Sequence, residues 1–372
     1  LSRAAAAAAH GPIVVALPVK DEEDRIGSCL EALDNQTAGN ADHIVLLLNN
    51  CSDGTASIAK GLQPRLAATL HVVEVELPLG SANAGFARRL ALEAARPLAG
   101  DRGILLTSDA DGRVDPDWIG ANVAAIRAGA DAVAGWAELD PLDWGSIPLR
   151  LHEDDARECA YDAACDEIHG LLDPDPADPL PRHTQASGAS IAVTVQAYRA
   201  VGGMPTPPSG EDRAFIAALR RIDARVRHSP ECRVVVSGRI EGRAAGGMAD
   251  TIRRRLTTPD PFLDDRLEPA LECARRAALR RLARMAYGTP ERPSGWWEPF
   301  CLSEAVMVAS LDRPAFGMAW AEIEAMSPRL ERLRVSVRDL ARQQAAAERL
   351  RDLARRDPSG CRRRVLRLAT IA

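Results

Sequence analysis

Four short apolar runs, each followed by a polar loop and then by residues at helical spacing, occupy the chain from Ile13 to Asp109 and constrain its fold more than any other feature. Ile13 to Leu17 is rich in β-branched residues and stops at Pro18, after which Asp24 to Leu33 sets Ile26, Leu30 and Leu33 on one helical face. His43 to Leu48 reads as a second strand, Asn49-Asn50-Cys51-Ser52-Asp53-Gly54 as its loop, and Thr55 or Ala56 as the next helix start. A third unit runs from Leu70 to Val75 through Pro78-Leu79-Gly80 into the Ala-rich helix Ala84 to Ala95, and the fourth strand ends at Asp109. Strands alternating with helices of this length predict an α/β fold with a doubly wound, mostly parallel sheet. Right-handed crossovers then bring all four strand-end loops to one edge, where open α/β sheets bind ligands.

The last of these loops has a chemistry of its own. Ile104-Leu105-Leu106-Thr107-Ser108-Asp109-Ala110-Asp111-Gly112 ends a buried-strand pattern with two carboxylates one residue apart. Hard oxygen ligands at a strand's carboxyl end suit Mg²⁺ or Mn²⁺ bridging a nucleotide diphosphate. The same residues also read as a solvated turn running into Arg113-Val114-Asp115-Pro116.

Beyond this half the pattern changes. Leu139 to Gln185 is acidic and includes the Pro-rich Asp173 to Pro181, which predicts a loop-rich insertion; regular structure resumes at Ser187 to Val193 and reaches Gly210-Glu211-Asp212. After Pro259 the chain reads as helical and Arg-rich, as in Leu271 to Ala286, and Leu330, Leu333, Val337, Leu340, Ala347 and Leu350 have the spacing of one apolar helical face. That face is expected to pack on its own domain, with a homodimer contact as the alternative. A length of 372 residues accommodates two or three domains, and a net charge of -5 argues against a general nucleic-acid binder. The eight cysteines form no Cys-x-x-Cys pair, which predicts reduced thiols and a cytoplasmic protein. No apolar segment approaches the ~20 residues of a membrane span.

Taken in order, the loops resemble those of family 2 glycosyltransferases of the GT-A fold, over roughly residues 12 to 245. Pro18-Val19-Lys20-Asp21-Glu22-Glu23 resembles the family's opening Pro-x-x-Asn-Glu-Glu, and Asn49-Asn50-Cys51-Ser52-Asp53-Gly54-Thr55 its Asp-Asp-x-Ser-x-Asp-Gly-Thr loop. Ala84-Gly85-Phe86-Ala87-Arg88-Arg89 stands where the family has a small-residue helix start followed by Ala-Arg-Asn. Asp109-Ala110-Asp111 matches the metal motif, and Gly210-Glu211-Asp212 the acceptor-side Glu-Asp. The implied domains are a GT-A domain over 1–258, with its nucleotide half at about 12–135 and its acceptor half at about 136–258, and a helical extension over 259–372.

The resemblance implies transfer of a sugar from a UDP- or GDP-sugar to an unidentified hydroxyl acceptor. Pro18, Val19, Asp21, Glu22, Asn50, Asp53, Ser108, Asp109 and Ala110 would line the nucleotide-sugar pocket, and Arg88 would clamp phosphate or base, although Arg89 is equally placed by sequence. Asp111 would ligate Mg²⁺ or Mn²⁺, with Asp109 on the ribose or on the metal's water shell. Asp212, or its neighbour Glu211, would act as general base in an inverting reaction. Gly188, Ala189 and His183 fall on the acceptor side, and Arg239 and Arg243 are candidates for the leaving phosphate. Two departures from the family pattern stand out: Asn50 replaces an Asp, and Val234-Val235-Val236-Ser237-Gly238-Arg239 offers no His as a further metal ligand. A nucleotidyltransferase and a catalytically silent nucleotide-sugar binder are the competing readings. The first normally opens with a Gly-rich basic loop, whereas Pro18 to Asp24 is acidic.

Overall fold

Alternate side chains of the inner strands enter two different cores, which is how a strand with a period of two becomes buried on both faces. Ile13, Val15 and Leu17 join Ile44, Leu46, Leu48, Ile104 and Leu106 in one core, while Val14, Ala16, Val45, Leu47 and Leu105 join the other. The helix Ile26–Asp34 covers the first with Ile26, Leu30 and Leu33. The helix Ala84–Ala99 covers the second with Ala87, Ala91 and Ala95. Each large side chain buried in this way contributes about 1.5–3 kcal/mol.

The computed structural model describes residues 11–78, 83–240, 242 and 247–369. They divide into two compact units: one from 1–147, 185–220 and 224–254, the other from 148–184, 221–223 and 255–372. The strands of the first unit are β1 (Ile13–Val19), β2 (His43–Asn49), β3 (Thr69–Val75), β4 (Ile104–Thr107), β5 (Arg113–Val114), β6 (Ala132–Leu139), β7 (Ile191–Thr194) and β8 (Val226–Val236). They form one mixed, mostly parallel sheet in the order β3-β2-β1-β4-β7-β6-β8-β5. β1 to β4 are mutually parallel, β7 runs antiparallel between β4 and β6, and β8 lies parallel to β6 with β5 antiparallel at the rim. The carboxyl ends of β1, β2, β4, β6 and β8 and the amino end of β7 therefore share one edge.

Two boundaries differ from the sequence reading. β1 continues through Pro18 to Val19, because its pairing with β4 ends at Ala16 and Thr107, so the missing Pro18 N–H falls beyond that ladder. The helix from Ala84 runs past Ala95 and through Pro97, ending at Gly100, whose φ of 63° is left-handed.

The second unit corrects two larger expectations. The acidic insertion expected as loop contains a long helix, Leu149–Leu172. Its Tyr161, Ala164, Ile168 and Leu172 pack with Ala270, Ala274 and Ala277 of the helix Ala270–Ala286 and with Ala347 and Ala354 of the helix Leu340–Arg356. The Pro-rich segment after it is irregular as expected, anchored where Asp173 meets Arg280 at 2.7 Å and Arg284 at 3.2 Å. The single tail helix through Leu330 is also corrected, since the helix starts only at Leu340. Residues just before it pair in extended form, with the Leu263 N–H donating to Val335 O at 3.0 Å and Phe262 bridging Ser336. Leu333 and Val337 are consequently exposed, whereas Leu330 is buried with Phe300, Trp320 and Ile323. No helix among the described residues is long and apolar enough to cross a membrane.

Candidate active site

The loops after β1 and β2 are laced together by their own polar groups. Asp21, held in a left-handed conformation at φ 51°, accepts the Ser52 N–H at 2.7 Å, and Glu23 accepts the Gly54 N–H at 2.7 Å. Asp53 accepts from the N–H groups of Glu23 at 3.1 Å and Thr55 at 3.0 Å, while the Glu22 N–H donates to Thr55 Oγ1 at 2.8 Å. Pro18 and Val19 lie at the end of β1, half-buried and buried respectively. The Asn50 amide, assigned to the nucleotide pocket by its place in the motif, is bonded to the backbone in this structure. Its Nδ2 donates to Leu77 O at 3.1 Å and its Oδ1 accepts the Leu77 N–H at 3.0 Å, fastening the β2 loop to the chain beyond β3.

Beyond β4 the main organiser is Arg88, which is 4% exposed. Its guanidinium donates to Asp109 Oδ1 at 2.6 Å, Glu211 Oε1 at 3.3 Å, Thr107 Oγ1 at 3.1 Å, and the carbonyls of Ser108 at 3.2 Å and Gly188 at 2.8 Å. Burial opposes its charge, but Asp109 and Glu211 outweigh that and hold its pKa above the ordinary arginine value. In this structure the guanidinium is engaged by protein acceptors and braces the loop. Arg89, indistinguishable from it in sequence, instead donates to Met204 O at 2.8 Å and Gly202 O at 3.1 Å.

Two glycines permit this packing. A Cβ on Gly188 would stand 2.6 Å from Arg88 Nη2, and one on Gly85 would stand 2.9 Å from Glu211 Cβ. Ser108, Ala110 and Ala189 are buried around the same loop, and Ser108 Oγ has no hydrogen-bond partner among the described residues.

Asp111 projects into a second charged cluster. Arg239, just beyond β8, donates to Glu22 through both terminal nitrogens, one contact being 2.8 Å, and pairs with Asp111 Oδ2 at 2.9 Å. Burial and then the neighbouring Asp109 push the Asp111 carboxyl up to about 7, while Arg239 pulls the other way. Buried, clustered carboxylates of this kind call for a cation. The donors fit a Mg²⁺ or Mn²⁺ ion only in part: Asp109 and Asp111 each keep one oxygen outside their arginine pairs, but no group of three or more His, Cys, Asp or Glu side chains arranged for a metal occurs among the described residues. The arrangement suits an ion that takes its remaining oxygens from a diphosphate and water.

Glu211 and Asp212 open the helix Glu211–Arg221 and diverge. Glu211 turns inward to Arg88. Asp212 accepts the Gly188 N–H at 2.9 Å and the Arg213 N–H at 2.7 Å, which fixes a half-buried carboxylate beside the start of β7. His183 belongs to the second unit, where it is buried. Arg243 lies outside the described residues.

A supporting network escaped the sequence reading. Arg25 meets Asp143 at 3.0 Å, Arg113 meets Asp140 at 2.8 Å, and Asp143 accepts the Gly238 N–H at 2.8 Å, steadying the backbone that carries Arg239. Partners this distant in the chain leave no local motif.

Residues 14–174 match the family described as Glycosyl transferase family 2. Among solved structures, the chain is similar to S. aureus TarS 1–349 in complex with UDP-GlcNAc, at 16% sequence identity over 93% of this chain and 91% of that one, with a TM-score of 0.47. It is also similar to the mannosyltransferase PcManGT from Pyrobaculum calidifontis in complex with GDP-Man and Mn²⁺, at 16% identity over 97% and 86%, with a TM-score of 0.42. Glucosyl-3-phosphoglycerate synthase from Mycobacterium tuberculosis, in complex with Mn²⁺, UDP and glucosyl-3-phosphoglycerate, is 20% identical over 69% and 84%, with a TM-score of 0.41. No curated protein matches the chain.

Proposed function

We propose, from the match of residues 14–174 to glycosyl transferase family 2, that the protein transfers a sugar from a UDP- or GDP-sugar to a hydroxyl acceptor, with inversion and with Asp212 as general base. The bond from the anomeric carbon to the diphosphate breaks as the acceptor oxygen bonds to that carbon from the opposite side, and the acceptor proton passes to Asp212. Asp111, with Asp109 beside it, would hold a Mg²⁺ or Mn²⁺ ion, which would supply positive charge to the leaving diphosphate. Arg88 positions both ends of this machinery, holding Asp109 on the donor side and Glu211, next to the base, on the acceptor side. The interlaced loops of Asp21 to Glu23 and Ser52 to Thr55 form the nucleotide wall.

The observation that carries this reading is the convergence on one sheet edge of the Asp109–Asp111 loop and the Asp212 carboxylate, linked through Arg88 and Gly188. The buried, unpartnered Ser108 hydroxyl supports a polar ligand at the same loop. The test is nucleotide release from a panel of UDP- and GDP-sugars, with Mn²⁺ or with chelator, for the wild type and Asp111→Asn. Turnover of one donor that requires metal and is lost in the variant is expected. Turnover of none, or equal turnover in chelator, would overturn the assignment or its metal requirement respectively.

A further inference from the structure

Asp111 already has a cation against it, and we propose that Arg239 competes with the divalent ion for this carboxylate, so that metal binding requires the guanidinium to withdraw onto Glu22. The inference rests on the reading of Asp111 as the metal ligand and concerns what controls access to it.

The two contacts of Arg239 are unequal. Glu22 receives both terminal nitrogens, while Asp111 receives only Nη2, at 2.9 Å. A bidentate pair is the stronger and more directional of the two. The guanidinium can therefore release Asp111 without losing its main anchor. Both ends of that anchor are fixed: Glu22 by its N–H to Thr55 Oγ1, and the backbone next to Arg239 by the Gly238 N–H on Asp143. Withdrawal thus involves a side-chain adjustment within a held frame. A guanidinium on Asp111 Oδ2 and a divalent ion on the same carboxylate would lie within a few ångströms of each other, and their charges repel across a half-buried site. Arg239 sets a threshold: it neutralises the acidic cluster when metal is absent and lowers the protein's affinity for metal alone.

The probe is Mn²⁺ alone, with bound and free ion distinguished by electron paramagnetic resonance on the full chain. Arg239→Gln should bind Mn²⁺ about tenfold more tightly than wild type, and Arg239→Lys, which cannot form the bidentate pair, should fall between them. Lys20→Gln removes the same charge from the opening loop and should change affinity by less than about twofold. Circular dichroism establishes that each variant is folded. Unchanged or weaker binding by Arg239→Gln, equal tightening by Lys20→Gln, or no binding to either wild type or Arg239→Gln would overturn the competition. Failure of the underlying reading looks different: Asp111→Asn would then bind Mn²⁺ as well as wild type does.

Discussion

Arg88 Nε stands 3.3 Å from Glu211 Oε1, joining residues 123 positions apart in the chain. Through Nη2 the same side chain holds Asp109 at 2.6 Å, so one guanidinium compensates carboxylates from the loop after β4 and from the helix Glu211–Arg221. Removing it leaves buried negative charge without a partner, which is more damaging than losing the pair altogether. Arg88→Ala should therefore lower unfolding stability by about 3 kcal/mol, at the low end of the range for buried pairs because Asp109 keeps some solvent access. Arg89→Ala, which gives up only two carbonyl contacts, should lose no more than about 1.5 kcal/mol. Urea unfolding of both variants decides the point, and equal losses would contradict the central role given to Arg88.

The contrast between these neighbouring arginines shows where sequence reasoning reached its limit. Periodicity revealed β1 to β4 and their helices, because each strand alternates between two cores and each helix presents one apolar face. Right-handed topology then brought Asp21, Asn50 and Asp109 to one edge. Which of two adjacent helical residues turns inward depends on tertiary packing, and the Arg239–Glu22 pair spans 217 residues with no motif to announce it. The helix Leu149–Leu172 was hidden because its acidic outer residues dilute the spacing of Tyr161, Ile168 and Leu172. At Leu330 to Val337 the apolar spacing misled, since extended pairing with Phe262 and Leu263 prevailed over helix propensity.

Asp212 and Glu211 are adjacent yet face different partners, so their variants should fail differently. Asp212→Asn keeps an acceptor for the Gly188 N–H but removes the proposed base, and transfer should fall about 10²-fold or more with nucleotide-sugar affinity nearly unchanged. Glu211→Gln should chiefly reduce stability through Arg88. Steady-state kinetics with direct donor binding separates the two, and full turnover by Asp212→Asn would move the base elsewhere.

His169 supplies a pH dependence in the second unit. Burial, and then the nearby Arg280, depress its pKa to about 3. A base with a depressed folded-state pKa is protonated more readily when unfolded, so its contribution is intact above the unfolded value near 6.5 and is lost as pH falls towards 3. Over that window it should add a slope of at most about 1.4 kcal/mol per pH unit, with stability rising with pH. His169→Gln should flatten the profile between pH 6.5 and 4 relative to wild type. Superimposable profiles would show that the imidazole is not held neutral.

The last prediction follows from the helix Leu149–Leu172, which lies in sequence between segments of the first unit but packs in the second. Its buried Tyr161, Ile168 and Leu172 are covered by residues of Ala270–Ala286 and Leu340–Arg356. Tyr161 also donates its hydroxyl to Glu268 O at 2.6 Å. Ending the chain at Pro259 would expose those side chains together, forfeiting about 1.5–3 kcal/mol for each large apolar group and leaving a contiguous patch that promotes association. The truncated protein should be insoluble or molten by light scattering and near-ultraviolet circular dichroism. Removing 149–172 as well, with a short flexible link in its place, should restore solubility, because no residue of that core would then remain. A soluble, monomeric and native-like product from the simple truncation would show that the helix does not depend on the tail for its cover.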